Sequence, residues 1–286
     1  MNPPVIIIGA GRSGTNALRD ALCGTAVFHT WPCDEINYIW RSGNRGYATD
    51  ELRAEHAHPQ ARRKIISAFD RQARQEPTAH LVEKTCANSL RVEFVHQIFP
   101  DAKFVHLVRD GRAVVASATK RWTAPLDVPY LVKKARFVPP LDLPYYAYKY
   151  FRSRLDRVRS DEDRLSWWGP RFDGMDQFTS ETPLVEVAAR QWLACVSRST
   201  EQLRRVPAEN VHTLTYRDLV TDPGAELARL VDSLGVSVSE AELSSAAASL
   251  HGGSVDSWRS VLDAEQQQIV GAIVDDMNLA LGVGNS

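Results

Sequence analysis

Sulfur chemistry is sparse in this chain. Four cysteines, Cys23, Cys33, Cys86 and Cys195, are scattered through 286 residues with no Cys-x-x-Cys spacing and no histidine pairing, which argues against a zinc site and a disulfide framework and suits a reducing compartment. A charge excess of either sign is also missing, since 34 Lys and Arg meet 35 Asp and Glu for a formal net charge of −1. Such a chain has no global field to draw in nucleic acid, so any cationic site must be local. No apolar run approaches the roughly 18 residues of a membrane helix, and Met1 to Pro4 carry no basic region of the kind that opens a secretion signal. Internal repeats and low-complexity tracts are absent. These absences lead us to expect a cytoplasmic protein with no integral membrane segment, no nucleic-acid partner and no metal. The length allows one large α/β domain, expected over residues 1–286.

What is present begins at Val5. Val5 to Ile8 form a continuous β-branched run, as expected of a parallel strand buried on both faces, and Gly9-Ala10-Gly11-Arg12-Ser13-Gly14-Thr15-Asn16 follow as a glycine-rich turn opening a helix. Glycines without Cβ atoms let backbone N–H groups close around a phosphate, and the helix start adds the positive end of its dipole. Arg12, Ser13, Thr15 and Asn16 add side-chain donors. Three readings of the turn compete. A nucleotide triphosphatase loop has Gly9 and Gly14 correctly spaced but Thr15 where its lysine belongs. A dinucleotide-binding turn is matched by Gly9, Gly11 and Gly14, with Asp34 or Glu35 about 20 residues on as the ribose acid. A 5′-phosphosulfate loop has Arg or Lys followed by Ser-Gly-Thr, as in Arg12 to Thr15.

A second motif decides among them. Lys103 to Ser117, with Val108-Arg109-Asp110-Gly111-Arg112 at its centre, repeats the strand-to-helix pattern and puts Arg109 at a strand end. Ser117 follows eight residues later, on the second turn of a helix starting near Arg112, where it is expected to face back toward Arg109. Arginine grips a terminal phosphate with paired donors. Taken with the first loop, this element resembles the 3′-phosphate site of sulfotransferases that use 3′-phosphoadenosine 5′-phosphosulfate (PAPS), closest to the bacterial and tyrosylprotein branch. The resemblance extends to Tyr216-Arg217-Asp218-Leu219 and to the stretch Ser254 to Arg259. About Thr123 to Thr182 nothing matches.

The rest of the chain alternates strands and helices. Asn16 to Cys23 read as a helix, Ala26 to His29 and His80 to Glu83 as strands, and Ala87 to Phe99 as a helix with Leu90, Phe94 and Ile98 on one face. Thr182-Pro183 signals a helix start, and Val211 to Leu214 read as the last strand. Alternation implies a mainly parallel sheet flanked by helices, and the resemblance implies a P-loop-like three-layer α/β fold. Right-handed crossovers then gather Gly9, Lys84 and Arg109 at one edge. Residues 120–182 read as a largely irregular or helical acceptor-side insertion. Between Lys120 and Arg159 it carries ten Lys or Arg against Asp127, Asp142 and Asp156, interleaved with Trp122 and five tyrosines. Aromatic faces of this kind stack on sugar or phenol rings.

The resemblance implies in-line transfer of a sulfuryl group from PAPS to an acceptor hydroxyl or amine, leaving 3′-phosphoadenosine 5′-phosphate (PAP). No metal is required. Arg12 and Lys84 are the candidate catalytic cations. Lys84-Thr85-Cys86 resembles the Lys-Thr-His motif of cytosolic sulfotransferases with the basic histidine replaced, so Glu35, placed like the glutamate of the bacterial and tyrosylprotein branch, is the candidate base. The bland alternative for Asp34-Glu35 is an acid pair at a helix N-terminus, and Asn88 either orients the acceptor or caps a helix. Donor contacts are assigned to Gly11, Arg12, Ser13, Gly14, Thr15, Asn16, Arg109 and Ser117, with Tyr216, Ser254 and Arg259 added by position. Carbohydrate or glycolipid is the expected acceptor, ahead of a tyrosine peptide or a phenol. A flavin or nicotinamide oxidoreductase and a non-catalytic nucleotide-binding module remain as alternatives.

Overall fold

A computed structural model describes residues 2–122, 168–178, 181–250 and 255–284. Most of the 120–182 insertion, with its tyrosines and most of its basic residues, lies outside them. Five strands, β1 (Val5–Ile8), β2 (Phe28–Thr30), β3 (His80–Lys84), β4 (Lys103–Val108) and β5 (Val211–Thr215), form one sheet in the order β2-β3-β1-β4-β5. Every pairing in it is parallel, as the strand–helix alternation implied.

The three-layer arrangement follows from how β1 divides its side chains. Val5 and Ile7 enter an apolar layer with Leu18 and Leu22 of α1 (Thr15–Cys23) and with Leu227 and Leu230 further on. Ile6 and Ile8 face the other way, toward Ile65 and Phe69 of α3 (Pro59–Ala73) and Phe94 of α4 (Val92–Ile98). All four β1 residues are at most 1% exposed, which is why the run is uninterrupted rather than alternating. Between β2 and α3 lies the short helix α2 (Asn37–Trp40). A third cluster joins α5 (Gly111–Trp122), α6 (Leu184–Leu203) and the C-terminal helices through Trp192 and Val274. α7 (Tyr216–Thr221), α8 (Pro223–Ser233), α9 (Glu240–Ala248), α10 (Trp258–Val261) and α11 (Ala264–Ala280) complete the described elements. None of the described helices is long and apolar enough to cross a membrane.

Two sequence expectations need correction. The helix expected over Ala87 to Phe99 is a 3-10 turn at Cys86–Leu90 followed by α4, with Arg91 between them at φ −148° and ψ 40°. Leu90, Phe94 and Ile98 are all buried, but Leu90 belongs to the α5–α6 cluster and the other two to the α3–α4 cluster. Their even spacing therefore straddles a break imposed by buried polar contacts of Asn88 and Arg91. The helix after Thr182 opens at Leu184, with Pro183 as its cap residue rather than its first turn.

Parallel register brings Lys84 beside Ile7, His106 beside Ile8 and Thr215 beside Val108. The segments after β1, β3, β4 and β5 thus leave one edge together. From β1 the chain moves toward one side of the sheet and from β4 toward the other, so the turns at Gly9 and Arg109 flank a topological switch point.

His106 sits under this edge, 3% exposed, with its Nε2 3.0 Å from Ser199 Oγ. Burial pushes its pKa down to about 4. Between pH 6.5 and 4 the unfolded chain therefore takes up a proton that the folded protein refuses, so stability falls as pH falls, by roughly 3 kcal/mol at the limit. His106→Gln is expected to flatten this part of the pH dependence in urea titrations at pH 7 and pH 4.5, and equal slopes in both proteins would refute it.

Candidate functional site

The glycine turn is shaped by contact before any ligand is considered. A Cβ on Gly9 would lie 2.8 Å from the Leu107 carbonyl oxygen and 2.7 Å from Thr15 Cγ2, so only glycine lets the chain pass this close to β4. Arg12 takes a left-handed conformation at φ 72° and Gly14 another at φ 96°. For Arg12 this costs about 1–2 kcal/mol. A turn of this kind folds successive N–H groups toward one concavity. The Ser13 N–H is spent on the Ala10 carbonyl at 3.1 Å, but the Ser13 hydroxyl, 1% exposed as a residue, finds no hydrogen-bond partner among the described residues. A buried hydroxyl in that condition fits an oxyanion held by the turn.

Two arginines stand beside it. Arg109 Nη1 donates to the Arg12 carbonyl at 3.0 Å, and Arg12 Nε donates to Ser117 Oγ at 3.0 Å. The Arg109 guanidinium lies 4.2 Å from the centre of the Tyr216 ring, and the same ring lies against Gly14, where a Cβ would come within 2.4 Å of Tyr216 Cδ2. Gly14, Tyr216, Arg109, Arg12 and Ser117 therefore form one chain of contacts drawn from four separate segments. Burial lowers the pKa of Arg109 and the charge of Arg12 adds to that effect, so an anion reaching both guanidiniums relieves a like-charge repulsion. The sequence placed Ser117 opposite Arg109; the structure puts its hydroxyl on Arg12.

The end of β3 and the turn after it organise the second half of the site. Lys84 Nζ donates to Glu35 Oε1 at 3.0 Å and the Cys86 N–H to the same oxygen at 3.3 Å. The Lys84 side chain is 3% exposed and that of Glu35 is 29% exposed, so the carboxylate is the member open to a ligand. Burial opposes the Lys84 charge, but the Glu35 carboxylate beside it works the other way, and the pKa is held above the ordinary lysine value. Cys86 behaves otherwise. Burial, helped by Glu35, pushes its thiol up to about 12, so it stays protonated, and its Sγ lies 3.9 Å from Thr15 Oγ1 on the glycine turn. Through that contact the two halves of the site touch.

The acid-pair reading of Asp34-Glu35 does not hold, because α2 starts at Asn37 with no acidic residue in its first turn. Asp34 instead lies 3.6 Å from Arg19 of α1, which ties the loop to that helix. Asn88 lies within the 3-10 turn rather than at a helix cap. Wholly buried, it donates to Glu83 Oε2 at 2.9 Å and accepts from Arg91 Nε at 2.9 Å. Glu83, whose pKa burial pushes up to about 7, and the buried Arg91 were missed in the sequence. Little in the sequence marked them, since β3 also carries His80 and Lys84, and Arg91 lies outside any strand.

The remaining candidates divide. Gly11 faces the Trp168 ring, 3.5 Å from where a Cβ would stand, so Trp168 covers the turn. Asn16 is exposed on α1. A small cleft beside Arg109 is lined by Asp110, Thr215, Tyr216, Arg217 and Val255, and Arg217 Nη2 meets Asp256 Oδ1 at 3.2 Å. This brings the late segment to the Tyr216 motif. Arg259 is exposed and stacks on Trp258 at 4.6 Å, while Ser254 lies outside the described residues. Among the described residues no three His, Cys, Asp or Glu side chains converge in a way that could hold a metal ion.

The arrangement matches known proteins at the level of fold. The chain is similar to the sulfotransferase domain from the curacin biosynthetic pathway, at 17% identity and a TM-score of 0.54 over 96% of this chain and 98% of that one. It is similar to the sulfotransferase domain of the Synechococcus PCC 7002 olefin synthase, at 19% identity and a TM-score of 0.54 over 96% and 94%. A sulfotransferase from Alicyclobacillus acidocaldarius aligns over 100% and 98% at 15% identity and a TM-score of 0.51. A search of curated proteins found no match. The model of the sulfotransferase family matches residues 3–165 and 171–240, which disfavours the dinucleotide-binding reading of the glycine spacing: the chain belongs to the sulfotransferase family.

Proposed function

We propose that this protein transfers a sulfuryl group from PAPS to a hydroxyl or amine of an acceptor, with Glu35 as the base. The observation that carries this is the Glu35–Lys84 pair, 3.0 Å apart at the sheet edge and joined through Cys86 and Thr15 to a turn whose buried Ser13 hydroxyl has no partner among the described residues.

When bound, PAPS supplies the sulfuryl group and a phosphate leaving group. Ser13, the turn's N–H groups and Arg12 hold the 5′ end, where preorganised donors matched to developing charge contribute about 2.7–4 kcal/mol each to the barrier. Arg109 and Ser117 hold the 3′-phosphate, and Tyr216, fixed between Gly14 and Arg109, lies on the nucleoside side. Lys84 stays cationic and is almost wholly buried, so it adds a fixed positive charge with little water to screen it. Glu35, the more exposed partner, takes the acceptor's proton onto its carboxylate. The aromatic content of the 120–182 segment favours a carbohydrate or glycolipid acceptor.

The direct test is mass spectrometry of a mixed panel of sugars, glycolipids, phenols and tyrosine peptides incubated with PAPS. Sulfated product from a sugar or glycolipid is expected; product from phenols or peptides alone overturns the acceptor class, and no product together with no PAP binding overturns the reaction.

Glu35→Gln is expected to bind PAP normally by calorimetry and to lose turnover by about 10²- to 10⁴-fold; unchanged turnover would remove Glu35 from the mechanism. Arg109→Ala is expected to weaken PAP by about 10- to 100-fold, the scale of a lost charge-assisted contact, while barely affecting adenosine 5′-phosphate. Equal weakening of both nucleotides would show that Arg109 does not read the 3′-phosphate.

A further inference from the structure

Glu83 is expensive to keep where it is. The residue is 1% exposed at the end of a buried strand, and a carboxyl there holds its place only if its oxygens are satisfied. Both are, and neither contact is made to the sheet. Thr85 Oγ1 donates to Glu83 Oε1 at 2.5 Å, and Asn88 Nδ2 donates to Glu83 Oε2 at 2.9 Å.

Each contact continues to the segment that carries Glu35. A threonine hydroxyl has one proton and two lone pairs. With its proton committed to Glu83, Thr85 turns a lone pair to the Ile36 N–H, which donates to it at 3.1 Å. Asn88, with its amide nitrogen committed to Glu83, offers its oxygen to Arg91 Nε at 2.9 Å, and Arg91 Nη2 donates to Asn37 Oδ1 at 2.6 Å. Asn37 in turn donates to Asp50 Oδ1 at 3.1 Å. Two branches leaving one carboxyl thus end on consecutive residues, 36 and 37, directly after Glu35. The opposite face of the same strand end, through Lys84 and the Cys86 N–H, takes the Glu35 carboxylate itself.

The geometry points to Glu83 as a positioning residue for sulfuryl transfer, which acts through Thr85 and Asn88 to lock the backbone after Glu35 and so aims the Glu35 carboxylate at the acceptor. This rests on the reading of Glu35 as the base. A carboxylate displaced by about 1 Å loses on the order of a hundredfold in rate, whereas the glycine turn that binds the donor touches neither branch. A positioning role therefore separates turnover from donor affinity, which a general loosening of the fold does not.

The test compares Thr85→Val, which keeps the shape and removes the hydroxyl, with Thr85→Ser, which restores it. Three quantities are read: hydrogen exchange of the Ile36 amide in the ligand-free protein, the Kd for PAP, and the rate at which PAP is released from PAPS with water as acceptor. Thr85→Val is expected to speed Ile36 exchange by about tenfold or more and to slow PAP release by about 10- to 100-fold, with the PAP Kd within about twofold, and Thr85→Ser is expected to return all three to wild-type values. Glu83→Gln, which keeps the side chain's size but has one acceptor oxygen where Thr85 and Asn88 need two, is expected to slow PAP release by about tenfold at unchanged Kd. PAP release within about twofold of wild type in these variants, or a Kd that rises in step with the lost rate, overturns the positioning role. If Glu35→Gln is inactive while the Thr85 and Glu83 variants turn over normally, only this proposal fails; if Glu35→Gln itself turns over normally, the base assignment fails first.

Discussion

The parallel register of β1 against β3 and β4 is the constraint on which the site depends. Because Ile7 lies opposite Lys84 and Ile8 opposite His106, the strands end nearly level, and the segments that follow them emerge together over one edge. An antiparallel partner at any of these positions would send its following loop to the far side of the sheet. Register also sets parity. The Lys84 side chain reaches Glu35 from one face of β3, while the preceding Glu83 points to the other and accepts from Thr85, whose hydroxyl also takes the Ile36 N–H. A slip of one residue would exchange Lys84 and Glu83.

Charge is concentrated under this edge to a degree that burial alone would forbid. Glu83, Lys84, Arg91 and Arg109 are all buried, and each is held by specific partners rather than by water. Their partners differ in kind. Glu83 is tied to a hydroxyl and an amide, and Arg91 to the Asn88 and Asn37 amides with the Asp50 carboxylate 3.6 Å away, in one connected network that rigidifies them. Arg12 and Arg109 count a hydroxyl, a carbonyl and an aromatic face among their contacts. The pairing of Lys84 with Glu35 has one member enclosed and the other partly open.

The chemistry-bearing residues of both phosphate motifs were legible in the chain because they depend on local events: a buried β-branched strand, a turn that needs glycine, and an arginine at a strand end. The opening of the site by Gly9 to Thr15, the strand-end position of Arg109 and the proximity of Lys84 to that edge all follow from this pattern. Where the reading went astray, long-range polar contacts had overruled local periodicity. The helix through Leu90, Phe94 and Ile98 breaks at Arg91 because that side chain is drawn to Asn37 and Asn88, and Asn88 follows Glu83 instead of a helix end.

By itself the sequence determined which segments are strands and phosphate-type turns, since strand burial and glycine conformation are written in short windows of residue type. Only the tertiary structure decided the partners: Ser117 on Arg12, Tyr216 between Gly14 and Arg109, Glu35 on Lys84, and Glu83 behind them. Those contacts join residues separated by tens to hundreds of positions, and their geometry is set by sheet register and helix packing, which no short window of sequence contains.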